Sequence, residues 1–181
     1  MNTKIFASLL LASTCLMAQA AKPIQPRNVS QTVDFWVTEV ENQVVPAADV
    51  LPEAKYSFAP TNGEFAGVRT FAEQIKHLAA ANYQLAAATL GEQPPPGTDN
   101  ETAPETVKTK AQIMAYLKGS FTSLHRAAAA LNEANMNDPI ADKGNRTRLQ
   151  MMIDSVVHSS NHYGQIVEYL RMNSIVPPES R

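Results

Sequence analysis

Three consecutive prolines, Pro94 to Pro96, sit inside the run Gly91-Glu-Gln-Pro-Pro-Pro-Gly-Thr-Asp-Asn-Glu-Thr-Ala-Pro-Glu105, and such a run cannot be helical. Each proline fixes its own φ and lacks the N–H that a helix or a sheet ladder needs. At roughly 3.3 Å per extended residue, the run is long enough to travel the length of a helical bundle. Geometry therefore permits the elements on either side to lie parallel, joined by a crossover.

Those elements read as helices. The first begins near Ser30, a plausible N-cap, and places Val33, Trp36, Val37, Val40 and Val44 on one stripe; Pro46 and Pro52 are expected to end it. Trp36 reads as a core residue. Residues 47–69 form a long connection whose Tyr56 and Phe58 are expected to tuck into the bundle. A second helix starts at Thr70, with Glu73 in the capping-box position, and stops at Gly91. Its stripe is Phe71, Ile75, Leu78, Leu85 and Ala86, with Asn82 interrupting it and His77 on its flank. The third helix, about Glu105 to Asn135, carries Val107, Met114, Leu117, Phe121, Leu124, Ala128 and Leu131, the spacing alternating three and four from Met114 onward. A fourth runs from about Asn145 to Ser174, with Met152, Val156, Tyr163, Ile166 and Leu170 inward and Gln150, Asp154, Asn161, Gln165 and Glu168 on the polar side. No stretch alternates as a strand does, so the chain is expected to be an all-α four-helix bundle.

The N-terminus has a different grammar. Lys4, the apolar run Ile5 to Met17 and the small-x-small Ala18-Gln19-Ala20 read as a signal peptide over residues 1–20, followed by a flexible segment 21–29, the bundle over 30–176 and a tail over 177–181. The run is shorter than the roughly 20 apolar residues of a bilayer span. Lipid attachment at Cys15 is a minor alternative, since Ala12 and Thr14 fit a lipobox poorly. Cleavage would remove Lys4 and no acid, changing 15 Lys and Arg against 17 Asp and Glu to a balance of -3. So mild a charge argues against nucleic acid and against an anionic membrane surface as partners. Cleavage would also take the single cysteine, leaving no disulfide and no thiolate. The chain carries no glycine-rich phosphate loop and no Gly-x-Ser-x-Gly elbow.

What remains is imidazole. His158 and His162, in His158-Ser-Ser-Asn-His162-Tyr-Gly-Gln165, are two of the four histidines and stand one helical turn apart, where both rings can reach one ion. Two ligands rarely fill a divalent site. His77 is the candidate third, near the middle of helix two as the pair is near the middle of helix four, provided those helices are neighbours. Imidazole suits zinc, nickel, copper or iron, and three histidines with an open position describe a reactive site rather than a structural one. Each residue also has a bland reading: an i,i+4 pair occurs on ordinary helix surfaces, and a lone helix histidine is at home packed or solvated. His125 is read that way. Asp154, one turn before His158, and Glu73, one turn before His77, are candidate acceptors for the outer ring nitrogens, or else solvent-facing.

The order Leu51-Pro-Glu-Ala-Lys-Tyr-Ser-Phe58, Phe71-Ala-Glu-Gln-Ile-Lys-His77-Leu-Ala-Ala-Ala-Asn82 and His158 to Gln165, with the Ile175 to Pro178 tail, resembles the DinB-like superfamily of metalloenzymes, in particular its exported members. The resemblance implies a four-helix bundle in up-down-down-up order, with the crossover between helices two and three. It implies a divalent metal ion, zinc or nickel, on His77, His158 and His162. It also implies transferase-like relatives that use bacillithiol or mycothiol, thiols that an exported protein meets little of. The expected function is therefore an exported metal-dependent enzyme of hydrolase or transferase type, acting on an unidentified small-molecule substrate. It would be periplasmic or secreted, with no membrane partner after cleavage; a homodimer is allowed by analogy. The alternative is a non-catalytic exported binding module.

Overall fold

The structure is a computed structural model that describes residues 26–61, 67–99, 102–141 and 143–180. The expected signal peptide, with Cys15, lies outside the described residues. Four helices account for the fold: α1 (Val29–Val50), α2 (Phe71–Leu90), α3 (Lys110–Ala130) and α4 (Arg148–Met172). Among the described residues there is no strand, only an isolated bridge between Pro139 and Thr147.

Each helix starts on a reciprocal capping box, in which an N-cap side chain takes the N–H of the third helical residue and that residue's side chain takes the N-cap N–H. The pairs are Asn28 with Gln31, Thr70 with Glu73, Thr109 with Gln112 and Thr147 with Gln150. These boxes satisfy donors that a helix start leaves open, and they move three of the expected boundaries. The first helix starts at Val29, on Asn28 rather than Ser30, and the third at Lys110 rather than Glu105. The fourth starts at Arg148 rather than Asn145, whose φ is +61°.

Pro46 does not end α1; it lies inside it. The missing N–H costs one hydrogen bond to the Asn42 carbonyl, but the turn beyond it is anchored. Ala47, Ala48 and Leu51 are fully buried, and the Tyr56 hydroxyl donates to the Ala48 carbonyl at 2.8 Å. Helix three ends at Ala130 rather than Asn135, because the Asn132 and Asn135 side chains bond nearby backbone and fold it into turns. Helix four stops at Met172, just short of Ser174, whose φ is +60°.

The helices pack in a ring, α1 on α3 and α4, and α2 on α3 and α4. Asn82 of α2 reaches Ser120 of α3, and Glu92, just past α2, pairs with Arg126 at 2.7 Å, so later residues of one lie beside later residues of the other: the two are parallel. On α4 the order reverses, Gln74 meeting Gln165, Asn82 meeting Ser159 and Thr89 meeting Arg148. Asp34 and Glu41 of α1 reach His125 of α3, and Asp49 reaches Lys110, also in reversed order. The bundle is thus up-down-down-up. Its crossover is held by the Gln84 amide on the Thr98 carbonyl, with Thr98 buried. Gly97, at φ +81°, is pressed so close to Pro104 that a Cβ would stand 3.0 Å from it.

The core is the expected one at Val37, Val44, Phe71, Leu78, Phe121 and Leu170, all fully buried. Tyr56 and Phe58 do tuck in, edge-on to Phe71 and Tyr169 respectively. Tyr163, expected inward, is only partly buried, and Tyr169 takes the buried place. Trp36 is a correction: it is 55% exposed. It sits one residue from Val37, about 100° round the helix, and the valine stripe fills the interface without it. Trp36 instead borders a surface groove with Val33, Met152, Ile153, Val156 and Val157.

His125 bridges Asp34 at 2.6 Å and Glu41 at 2.9 Å. Burial pulls this imidazole's pKa down, but the two carboxylates, by hydrogen bond and by charge, push it up by more, and it stands above the ordinary value. Its stabilisation is therefore fully present below the unfolded-state pKa and is lost as pH rises through the folded one. His125→Gln should lower thermal stability more near about pH 5.5 than near about pH 9. Equal losses at the two pH values in thermal melts would show that the charge of the bridge contributes nothing.

Candidate metal centre

The α2–α4 seam carries most of the buried polar side chains among the described residues. On α2, Gln74, His77 and Asn82 are buried, and on α4 Ser155, Ser159 and His162 are buried. The antiparallel register brings His77 to the level of the pair one turn apart on α4. The three ring centroids lie 4.8 Å (His77–His162), 5.3 Å (His77–His158) and 4.3 Å (His158–His162) apart. One nitrogen from each ring lies within 4.8 Å of the other two, so the three could hold a metal ion. The Nε2 atoms of His158 and His162 face each other at 3.0 Å. Three imidazole nitrogens converging from two helices form a donor set suited to a borderline divalent ion.

The electrostatics keep at least one of these nitrogens free of an extra proton. Burial first, then the neighbouring His158 and His77 and the Arg69 charge, hold the His162 pKa down at about 3. A metal ligand must be deprotonated, and near neutral pH His162 is.

The trio opens on two sides. His77 lines a cleft of about 470 Å³ with Arg69, Glu73 and Lys76, and His158 lines a smaller one of about 190 Å³ with Gln84, Lys143, Arg146 and Asp154. Beneath it, Asn82 accepts from the Ser159 hydroxyl at 3.2 Å and donates to the Ser120 hydroxyl at 3.4 Å. The expected interruption of the α2 stripe is thus a buried bond to both neighbouring helices.

The two carboxylates offered as acceptors for an imidazole, or else as solvent-facing, are held by other partners. The Glu73 carboxylate accepts from the Thr70 N–H and hydroxyl, both at 2.8 Å, and those bonds hold its pKa below the ordinary range. Asp154 pairs with Arg146 at 2.6 Å. The partner the sequence did not suggest is Gln74, 2% exposed, whose amide lies 2.6 Å from His162 Nδ1 and donates to the Gln165 carbonyl oxygen. Gln165, read as a solvent-side neighbour, is exposed but joined to the centre through that amide. Gln74 bonds His162 across the seam, a contact that no sequence interval marks.

The chain matches the family model described as the DinB superfamily over residues 37–166, more than half of its length, and it belongs to that superfamily. A search of curated proteins returns no match. Because the two carboxylates serve the helix start and an ion pair, Glu73→Ala should cost roughly 0.5–2 kcal/mol of stability, as other lost caps do. Asp154→Ala, breaking a half-exposed pair, should cost under about 1 kcal/mol. Denaturant melts measure both; a shift of the His77 ring resonances in the first variant, or of the His158 ring resonances in the second, would show that the carboxylate orients an imidazole after all.

Proposed function

We propose that this DinB-superfamily bundle is a metal-dependent enzyme of hydrolase or transferase type, holding one divalent ion, zinc or nickel, on His77, His158 and His162. The observation that supports this reading is the convergence of three imidazoles from two helices between two solvent-facing clefts. Such an ion supplies Lewis-acid chemistry, polarising a carbonyl or phosphoryl oxygen and lowering the pKa of a coordinated water to about 7. The chain's own residues do the rest. His158 and His162 are fixed by one helical turn and His77 by the α2–α4 register, so ligand spacing follows from packing. Three protein ligands leave a tetrahedral ion one open position. Arg69 and Lys76 at one cleft, and Lys143 and Arg146 at the other, give a small-molecule substrate polar surfaces to bind.

The binding-module alternative drew on the 47–69 connection, but its aromatic residues Tyr56 and Phe58 are packed on Phe71 and Tyr169. The purified chain, titrated with zinc or nickel and freed of excess ion, should hold about one ion per chain, as a closed three-ligand set requires. His77→Ala and His158→Ala should each bind at least about tenfold more weakly. No retained metal in the wild type, or unchanged retention in His158→Ala, would sink the reading.

The same reading places the protein outside the cytoplasm, periplasmic or secreted, on the strength of the apolar leader-like run Ile5 to Met17. Partners would be a small molecule and, by analogy, a second copy; nucleic acid and membrane are not expected. No helix among the described residues is long and apolar enough to cross a membrane. N-terminal sequencing of the exported protein should find a new terminus after Ala20; a chain still starting at Met1 would count against cleavage.

A further inference from the structure

We infer that Gln74 and Gln165 form a two-amide latch that sets the tautomer of His162 and turns over when the site takes up its ion. The inference rests on the metal reading above. One Gln74 NH2 group lies against two acceptors, His162 Nδ1 at 2.6 Å and the Gln165 carbonyl oxygen. An amide nitrogen has two hydrogens and no lone pair to offer, so both are used here. With Nδ1 accepting, the neutral ring carries its proton on Nε2. That proton points at His158 Nε2, 3.0 Å away. In this arrangement the metal-facing nitrogen of His162 is closed by its own hydrogen.

Opening it moves the proton across the ring to Nδ1, where it would meet the hydrogens of Gln74. The conflict is relieved if the Gln74 amide turns end for end and presents its oxygen to Nδ1–H. That oxygen then faces the Gln165 oxygen, and Gln165 must turn as well, donating its own NH2. Gln165 is exposed, so its other end finds water in either orientation. Gln74 is buried and has two neighbours to satisfy, so it cannot turn alone. No atom is gained or lost: one ring proton changes nitrogen and two amides exchange ends. Gln74 and Gln165 are positioning residues, acting through His162.

The test reads the His162 ring directly by long-range proton–nitrogen NMR of the full chain, with the signal assigned by its loss in His162→Asn. Wild-type protein without metal should show Nε2 protonated, and with zinc Nδ1 protonated. Gln74→Glu places a permanent acceptor on Nδ1 and should show Nδ1 protonated even without metal. Gln165→Glu holds the Gln74 NH2 end in place and should keep Nε2 protonated. A carboxylate at either position adds the same charge, so opposite tautomers separate the latch from simple electrostatics. Gln74→Met should weaken zinc binding by roughly 10- to 100-fold, as loss of an outer-sphere partner does. Gln165→Met, on the exposed side, repeats the test where folding is not at risk and should weaken it by a smaller factor. The same tautomer with and without zinc in the wild type, or the same tautomer in the two Glu variants, overturns the latch. So does zinc affinity within twofold of wild type in both Met variants. Wild-type protein that takes up no zinc overturns the metal reading, and the latch with it; zinc uptake with an unmoved tautomer overturns the latch alone.

Discussion

The structure depends on the buried polar seam between α2 and α4. Apolar side chains hold helices together but are tolerant of register, because one methyl group packs nearly as well as the next. A buried amide is not tolerant, since leaving it unpaired costs about 1–3 kcal/mol. Asn82, fully buried, is satisfied only where Ser159 and Ser120 come opposite it. Gln74 is satisfied only beside His162 and Gln165, and Arg148 reaches the Thr89 carbonyl at the far end of α2. Three such points along one seam fix the axial position of α4 against α2 and, through Ser120, of α3 as well. The level at which His77 meets His158 and His162 follows from them.

The triple-proline crossover makes this seam reachable. With α2 and α3 parallel, α2 is free to take α4 as its antiparallel neighbour, while α1 pairs with α3 and α4 on the other side of the ring. A tight turn after Leu90 would have made α2 and α3 antiparallel and reversed α3 past Asn82. The described part of the crossover is held at two places, by Gln84 on Thr98 and by the close approach of Gly97 to Pro104.

Much of this was legible in the sequence, because it depends on spacing. The stripes, the Thr70–Glu73 box and the His158–His162 pair follow from intervals of three, four or seven residues; the length and prolines of 91–105 permitted the crossover, and the family resemblance implied it together with His77. What was not legible depends on competition between partners. Pro46 reads as a stop, yet burial of Ala47, Ala48 and Leu51 outweighs one lost hydrogen bond. Trp36 reads as core by type, but the valine stripe leaves it outside. Glu73 and Asp154 have the right offset to orient an imidazole, but Thr70 and Arg146 claim them. Gln74 orients His162, a residue on another helix, and only the folded seam brings the two together.

The two histidine environments of this bundle differ in what surrounds each ring. His125 lies between two carboxylates, which raise its pKa in spite of burial. His162 lies among two other imidazoles and near Arg69, with the nearby carboxylates Glu73 and Asp154 occupied elsewhere, and its pKa falls to about 3. A proton is welcome at the first and unwelcome at the second, although the side chain is the same. A fold that needed His162 only for packing would have no use for three converging ring nitrogens, because an apolar residue of similar size would avoid the desolvation. Three converging ring nitrogens that could hold a metal ion are complementary to a positive charge supplied from outside. A divalent ion delivers that charge with a geometry that three rings can satisfy together, whereas a proton can be shared by only two of them at a time.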